Sequence, residues 1–473
     1  MKINLENTRY MQYAASVAAA LCSISIGMMT AWPSPTLPKL QGEDSPIGDP
    51  ITDEQGSWMV AIMYLTAPAS FITGWAVDHI GRKKTLLFTS CISLIAWLLI
   101  MFSNSILMLI IARAVAGIAM SCYIPSVVIY TAEVSEEDIR GRTGTYMMLF
   151  KTLGTIFVLS IGPYVSYLTL AIICGCIPLI SFCTFYFMPE TPFYYVKNGN
   201  KEEATKSLLM LSKKNVTEKF LQDRLLYIER TIEEDMKNKG SLKELLTKKE
   251  YRFTIFLLFG VKSLQQFNGN TALEAYIQPI IESSNSGIEP EIASIIIGCI
   301  QLPAVYLSGI LVDKLGRKPL LLTSTIGCSI ALFGEGTYFL IKDYLEKSTS
   351  DIGWLPTTGL ALFWICNPIG MMTLPYVLLG ELFPTNIKGV AVGLATFYGG
   401  ATSFLVSKFF KPLSNAIGIY SVFYIFCGIC IAGTLFVFIF LPETKGKNFQ
   451  EIQEIIHKKK NGMKNSNKDQ NLS

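Results

Sequence analysis

Twelve runs of roughly 20 apolar residues, each long enough to cross the hydrocarbon of a bilayer, lie along the 473 residues of this chain. They begin near Met11, Ser57, Thr85, Ile106, Thr143 and Thr169, and again near Arg252, Ile292, Pro319, Trp354, Gly389 and Ala416. With 51% apolar and only 16% charged residues, a soluble domain could not hide the surface, so lipid must be the solvent. The expected fold is therefore an all-α membrane protein with 12 transmembrane helices. Residues 1–10 carry charges of both signs and precede the first run without a small-residue cleavage pattern, so that run is expected to be a retained span.

The cations mark topology. Clusters at Arg82–Lys84, Arg140–Arg142, the central insert, Arg317–Lys318 and Lys458–Lys460 fall on one side when connections alternate, and the positive-inside rule makes that side cytosolic. The first opposite loop carries Glu43, Asp44, Asp49, Asp53 and Glu54 against Lys39, so it should face outward. Both termini and the insert are then cytosolic. A net charge of +4, held in short clusters beside apolar runs, does not suggest nucleic acid. All eleven cysteines lie inside apolar runs. No metal-ligand spacing, no nucleophile beside a base and no phosphate-cradling loop is visible, so neither metal, cofactor nor enzymatic activity is expected. No obligate protein partner is implied.

The two halves repeat each other. Asp78-His79-Ile80-Gly81-Arg82-Lys83 after the second run recurs as Asp313-Lys314-Leu315-Gly316-Arg317-Lys318 after the eighth. Glu133 with Arg140-Gly141 recurs as Glu381 with Lys388-Gly389, and Pro189-Glu190-Thr191 recurs as Pro442-Glu443-Thr444. Any one pair reads as a topogenic charge cluster, but three in the same order at equivalent loops imply parallel six-helix repeats. The domain reading follows: residues 1–193 as an N-terminal six-helix bundle, 194–250 as a cytosolic helical insert, 251–445 as a C-terminal six-helix bundle and 446–473 as a cytosolic tail. Such repeats place a solute site near the midplane and rock around it. Asp78, Arg82, Glu133 and Arg140, with Asp313, Arg317, Glu381 and Lys388, are expected to form a cytosolic latch of charge-assisted hydrogen bonds.

In the seventh run Lys262, Gln266, Asn270 and Glu274 recur every four residues, forming one slowly winding polar stripe on a continuous helix. Polar groups in lipid face the bundle interior. They serve either as interhelical glue or as a lining in which each amide offers donor and acceptor to a hydroxyl.

The repeated motifs resemble those of the sugar porter family of the major facilitator superfamily: the paired D-x-x-G-R-K loops, Pro189-Glu190-Thr191-Pro192 before the insert and Pro442-Glu443-Thr444-Lys445-Gly446 after the last run. Gln12-Tyr13-Ala14-Ala15, Ala31-Trp32-Pro33-Ser34-Pro35 and Gln265-Gln266-Phe267 are similar to the insect facilitated trehalose transporter branch. The resemblance implies a membrane sugar transporter working by alternating access, multi-pass in the cell membrane, with a small-molecule sugar as its partner. It implies sugar-binding roles for Gln265, Gln266, Asn270, Thr271, Gln301 and Tyr376. The family's span-five Gln falls on Met148, its span-ten acid on Pro368 and its span-eleven Asn-Trp pair on Gly399-Gly400, which suits either a wider pocket for a disaccharide or closer helix packing. Proton-coupled relatives carry an acid where this chain has Met29, beside the Arg matched by Arg113. The expected activity is a facilitative uniporter for trehalose or a hexose, with a proton-coupled symporter and a non-transporting nutrient sensor as alternatives. Glu274 and Glu335 both lie within apolar runs, where either could titrate or stand at a polar cavity wall or a helix end close to the outer surface, the expected place for Glu335.

Overall fold

A computed structural model describes residues 10–212, 218–237, 242–248, 251–284, 288–383 and 385–447, with 451, 454 and 455. The Lys458–Lys460 cluster lies outside the described residues. Among the described residues, eleven helices are long and apolar enough to cross a membrane. The first span is α1 (Tyr10–Ala31) running on into α2 (Pro33–Gln41), and the second is α3 (Asp53–Leu65) with α4 (Ala69–His79). Then follow α5 (Arg82–Met101), α6 (Ile106–Val134), α7 (Glu137–Ile161) and α8 (Tyr167–Tyr186). Helix starts follow local chemistry. Thr52 and Gln55 make a reciprocal capping box on α3, and the hydroxyls of Ser105 and Ser166 cap α6 and α8.

The insert forms α9 (Pro192–Lys197), α10 (Lys201–Leu211), α11 (Glu218–Lys237) and α12 (Leu242–Thr247). Its apolar positions close a small core of Leu208, Leu221 and Ile228. Gln12 Nε2 donates to Leu211 O at 2.8 Å, tying α10 to the start of α1.

The eighth, ninth, eleventh and twelfth spans are α15 (Pro290–Leu315), α16 (Arg317–Phe339), α19 (Thr385–Ile417) and α20 (Ile419–Phe440). The other two spans of this half are broken. The seventh, expected as one continuous run, is two short helices, α13 (Tyr251–Phe267) and α14 (Asn270–Ser284). Between them Gly269 takes φ +87°, in the left-handed region, and a Cβ there would stand 2.4 Å from the Phe426 ring. Only glycine fits. The tenth is α17 (Leu355–Asn367), a wide helical turn over Pro368–Met372, and α18 (Leu374–Leu382). Pro368 cannot donate to the helix ladder, and such widened turns cluster at functional sites.

The chain folds as two compact units, Met1–Asn238 and Lys239–Ser473. Within the first, α1 packs on α7, α5 on α6 and α8, and α3 on α6. Within the second, α13 packs on α19, α16 on α17 and α20, and α15 on α17. These are equivalent pairs of spans, so the repeat read from three loop motifs extends to how each bundle is packed.

Candidate solute site and the repeated charge clusters

The break in the seventh span is held by three asparagines. Asn268 Oδ1 accepts from Asn270 N at 2.9 Å, replacing a helical carbonyl where the ladder stops. Asn268 Nδ2 donates to Asn367 Oδ1 at 3.1 Å, and Asn367 Nδ2 donates to Asn270 Oδ1 at 2.5 Å. The two interrupted helices are therefore stapled at their interruptions. Neither Asn268 nor Asn367 was expected at the site. The Asn268-Gly269 pair, a turn signal inside an apolar run, is the sequence feature that marks it.

Above the break, α13 presents carboxamides to two different neighbours. Gln265 is buried, donates from Nε2 to Met372 O at 2.8 Å and accepts from Lys262 Nζ at 2.8 Å. Gln266 accepts at Oε1 from Ser403 Oγ of α19 at 2.7 Å, and Ser263 pairs with the Tyr398 hydroxyl at 2.6 Å. A Cβ on Gly399 would stand only 3.5 Å from Gln266 Nε2, an ordinary contact, so the glycine leaves room over that amide. Lys262 Nζ lies 3.8 Å from the centroid of the Tyr376 ring.

The single polar stripe does not survive. Lys262 and Gln266 lie on α13 and Asn270 on α14, because the left-handed turn at Gly269 resets the register between them. Gln265 and Tyr376 thus gather around Lys262 and Gln266 turns to α19, whereas Asn270 turns to Asn367. Thr271 is buried with its hydroxyl unpartnered. Gln301 is buried in α15, which packs against α14 and α17.

The repeated loop motifs build the same cluster twice. In the first unit Arg82 grips Glu133 through two atoms, Nε to Oε2 at 2.9 Å and Nη2 to Oε1 at 2.8 Å. Its Nη1 donates to Val77 O, and Thr191 Oγ1 donates to Glu133 Oε2 at 2.6 Å. Glu190 accepts from Lys83 N at 3.0 Å. In the second unit Arg317 meets Glu381 Oε1 through Nε at 3.0 Å and Nη2 at 2.7 Å. Its Nη1 donates to Val312 O, Thr444 Oγ1 donates to Glu381 Oε2 at 2.6 Å, and Glu443 accepts from Lys318 N at 3.0 Å. Gly81 and Gly316 make this possible. Their φ values of +109° and +97° turn the chain sharply, and a Cβ would come within 2.4 Å of Glu190 Oε2 and 2.8 Å of Glu443 Oε2.

Asp78 belongs to the first cluster through Lys197 Nζ at 2.7 Å and, more distantly, Arg82 at 4.0 Å. Arg140 is solvent-exposed and stands outside it. The side chains of Asp313 and Lys388 lie outside the described ones. Burial pushes the Glu190 carboxyl up from its ordinary range, against the pull of the Thr191 and Lys83 amides. Burial also pushes Glu443 up, but four backbone N–H groups outweigh it and hold that carboxyl below its ordinary range.

Arg113, buried in α6, donates to the carbonyls of Met29 and Met59 and lies 5.8 Å from the Trp32 ring centroid. No carboxylate pairs with it among the described residues. Glu335 is fully buried near the C-terminal end of α16, and its Oε1 would be 2.6 Å from a Cβ on Gly359 of α17.

The profile of a family described as "Sugar (and other) transporter" matches residues 10–456. The chain is 30% identical over 446 residues to the facilitated trehalose transporter Tret1 of Apis mellifera ligustica, covering 94% of this chain and 88% of that one. It is 32% identical over 447 residues to Tret1 of Bombyx mori, covering 93% and 86%. Among solved structures, the proton:xylose symporter XylE of the major facilitator superfamily, bound to 6-bromo-6-deoxy-D-glucose, superposes with a TM-score of 0.76 at 19% identity, covering 94% of this chain and 99% of that one. The inward open xylose transporter XylE from E. coli gives 0.77 at 19% identity, covering 94% and 99%. At that identity the structural likeness establishes the fold, two six-helix repeats of the major facilitator type.

Proposed function

The chain belongs to the sugar transporter family of the major facilitator superfamily, and from that membership we propose that it is a facilitative carrier of trehalose or a hexose, working by alternating access. It is a multi-pass membrane protein. We place it in the cell membrane with both termini in the cytosol, as the Lys/Arg clusters favour. The observation that carries the reading is the broken seventh span, where Gln265 and Gln266 present amides beside the hydroxyls of Ser403, Ser263 and Tyr398. Amides and hydroxyls satisfy both the donor and the acceptor of a sugar hydroxyl without fixing a charge. Gln265, Gln266, Asn270, Thr271, Gln301 and Tyr376 are assigned to that lining. Asp78, Arg82, Glu133, Arg140, Asp313, Arg317, Glu381 and Lys388 are assigned to gating. The relatives named as facilitated trehalose transporters support the substrate class.

Facilitation is favoured by Arg113, whose acceptors are backbone carbonyls and not an acid that would take up and release a proton. One observation favours proton coupling instead, the buried carboxyls of Glu274 in α14 and Glu335 in α16. Uptake of labelled trehalose and glucose into cells expressing the chain, with and without a protonophore, tests both. Uptake that stops at equilibrium and survives the protonophore supports facilitation, whereas accumulation that collapses with the proton gradient assigns a symporter.

A further inference from the structure

Lys262 is the group this reading leaves unexplained. It is 2% exposed in the middle of the amide-bearing helix, where an ammonium has lost its water. Among the described residues its contacts are the Gln265 amide oxygen and the face of the Tyr376 ring, and no carboxylate pairs with it there. A buried cation is compensated only by an anion with good geometry, and neutral acceptors leave it short. The arrangement is pre-set to hold the charge in place. Gln265 is fixed by its own bond to Met372 O, which keeps Oε1 turned toward Nζ. The Tyr376 ring that covers the ammonium is itself 42% exposed, so rotation of one side chain opens Nζ to whatever occupies the space beyond it. One turn along the same helix stands Gln266, with Ser403 of α19 against its amide, both partners for hydroxyls.

A cation beside hydroxyl-binding groups fits a sugar bearing a carboxylate. We infer that this carrier accepts anionic monosaccharides of the hexuronate class, with Lys262 pairing the carboxylate in place of the Tyr376 ring, and that neutral sugars use the same amides without that contact. The inference rests on the transporter reading above.

The test uses the purified full chain in liposomes with the membrane potential clamped at zero. Labelled glucuronate and labelled glucose are measured side by side, in the wild type and in Lys262→Met and Lys262→Arg. The expected result is glucuronate uptake by the wild type. Lys262→Met should then lower the glucuronate-to-glucose ratio by about tenfold or more, because a charge-assisted bond in a dry site is lost, and Lys262→Arg should hold part of it. Glucose uptake that glucuronate neither accompanies nor competes with in the wild type overturns the inference and leaves the transporter reading standing. An unchanged ratio in Lys262→Met overturns it as well. Absence of flux for both sugars overturns the inference, and labelled trehalose run in the same liposomes decides whether the transporter reading falls with it. The wild-type competition measurement needs no variant, so a poorly folding Lys262→Met does not shield the idea.

Discussion

Replacing Arg82 by alanine should cost more than replacing its repeat mate Arg317, although the sequence motifs are the same. Arg82 and Glu133 are 7% and 13% exposed, and the pair is closed through two separate oxygens. Arg317 and Glu381 are 12% and 23% exposed, and both guanidinium contacts converge on one oxygen. Breaking a buried pair from one side costs roughly 3–5 kcal/mol because the orphaned charge stays out of water, while an exposed pair is worth about 0–1 kcal/mol. Glu133 keeps the Thr191 hydroxyl, which places Arg82→Ala near the low end of the first range, about 3 kcal/mol. Arg317→Ala, whose carboxylate is better hydrated, should cost about 2 kcal/mol on the same scale. For a unit of this size about 3 kcal/mol corresponds to a fall in Tm of roughly 6–12 °C. Thermal unfolding of the detergent-purified variants reads the difference, and the Arg82→Ala, Glu133→Gln double-mutant cycle isolates the pair. If Arg317→Ala loses as much as Arg82→Ala, or if Arg82→Ala loses under about 1 kcal/mol, burial does not set the strength of these clusters.

Gly269→Ala forces a side chain into a left-handed residue and against Phe426; it should destabilise the second unit by about 2–4 kcal/mol and abolish uptake, whereas Gly74→Ala, with nothing within 4 Å, should leave Tm within about 2 °C. Glu190 and Glu443 should give opposite acid behaviour. The raised Glu190 group binds its proton more readily folded than unfolded, so its share of stability grows as pH falls into and below its raised range. The lowered Glu443 group stabilises the fold above the ordinary carboxylate range and loses that share as pH falls through its depressed value. Glu443→Gln should therefore flatten the acid limb of a Tm-versus-pH profile and Glu190→Gln should not; the reverse pattern would contradict the assignment. Gln266→Ala should weaken sugar uptake without lowering surface expression, since it removes an amide and strands the Ser403 hydroxyl.

The spans were legible because a bilayer demands length and apolarity, both of which sequence states directly. Their starts fell within a few residues of the helices at Tyr10, Arg82, Ile106 and Tyr167. The paired loops were legible because each needs a glycine turn, an arginine and a glutamate, and Gly81 and Gly316 do the same work in both units. The break at Gly269 was missed, because the four-residue polar spacing from Lys262 to Glu274 reads as one helix and masks the Asn268-Gly269 turn signal inside it. Asn367 and Ser403 were missed for a related reason. A lone polar residue in an apolar run gives no hint of its partner, and theirs, Asn268, Asn270 and Gln266, come from the broken seventh span, roughly a hundred or more residues away.

The central claim is carriage of neutral sugar down its own gradient. Stopped uptake of labelled trehalose by proteoliposomes holding the purified chain, against empty liposomes and with an imposed pH step, reads it most directly. A facilitative carrier gives saturable entry that halts when inside and outside concentrations match, at every pH gradient. Entry no faster than in empty liposomes, or accumulation that follows the pH step, would contradict it.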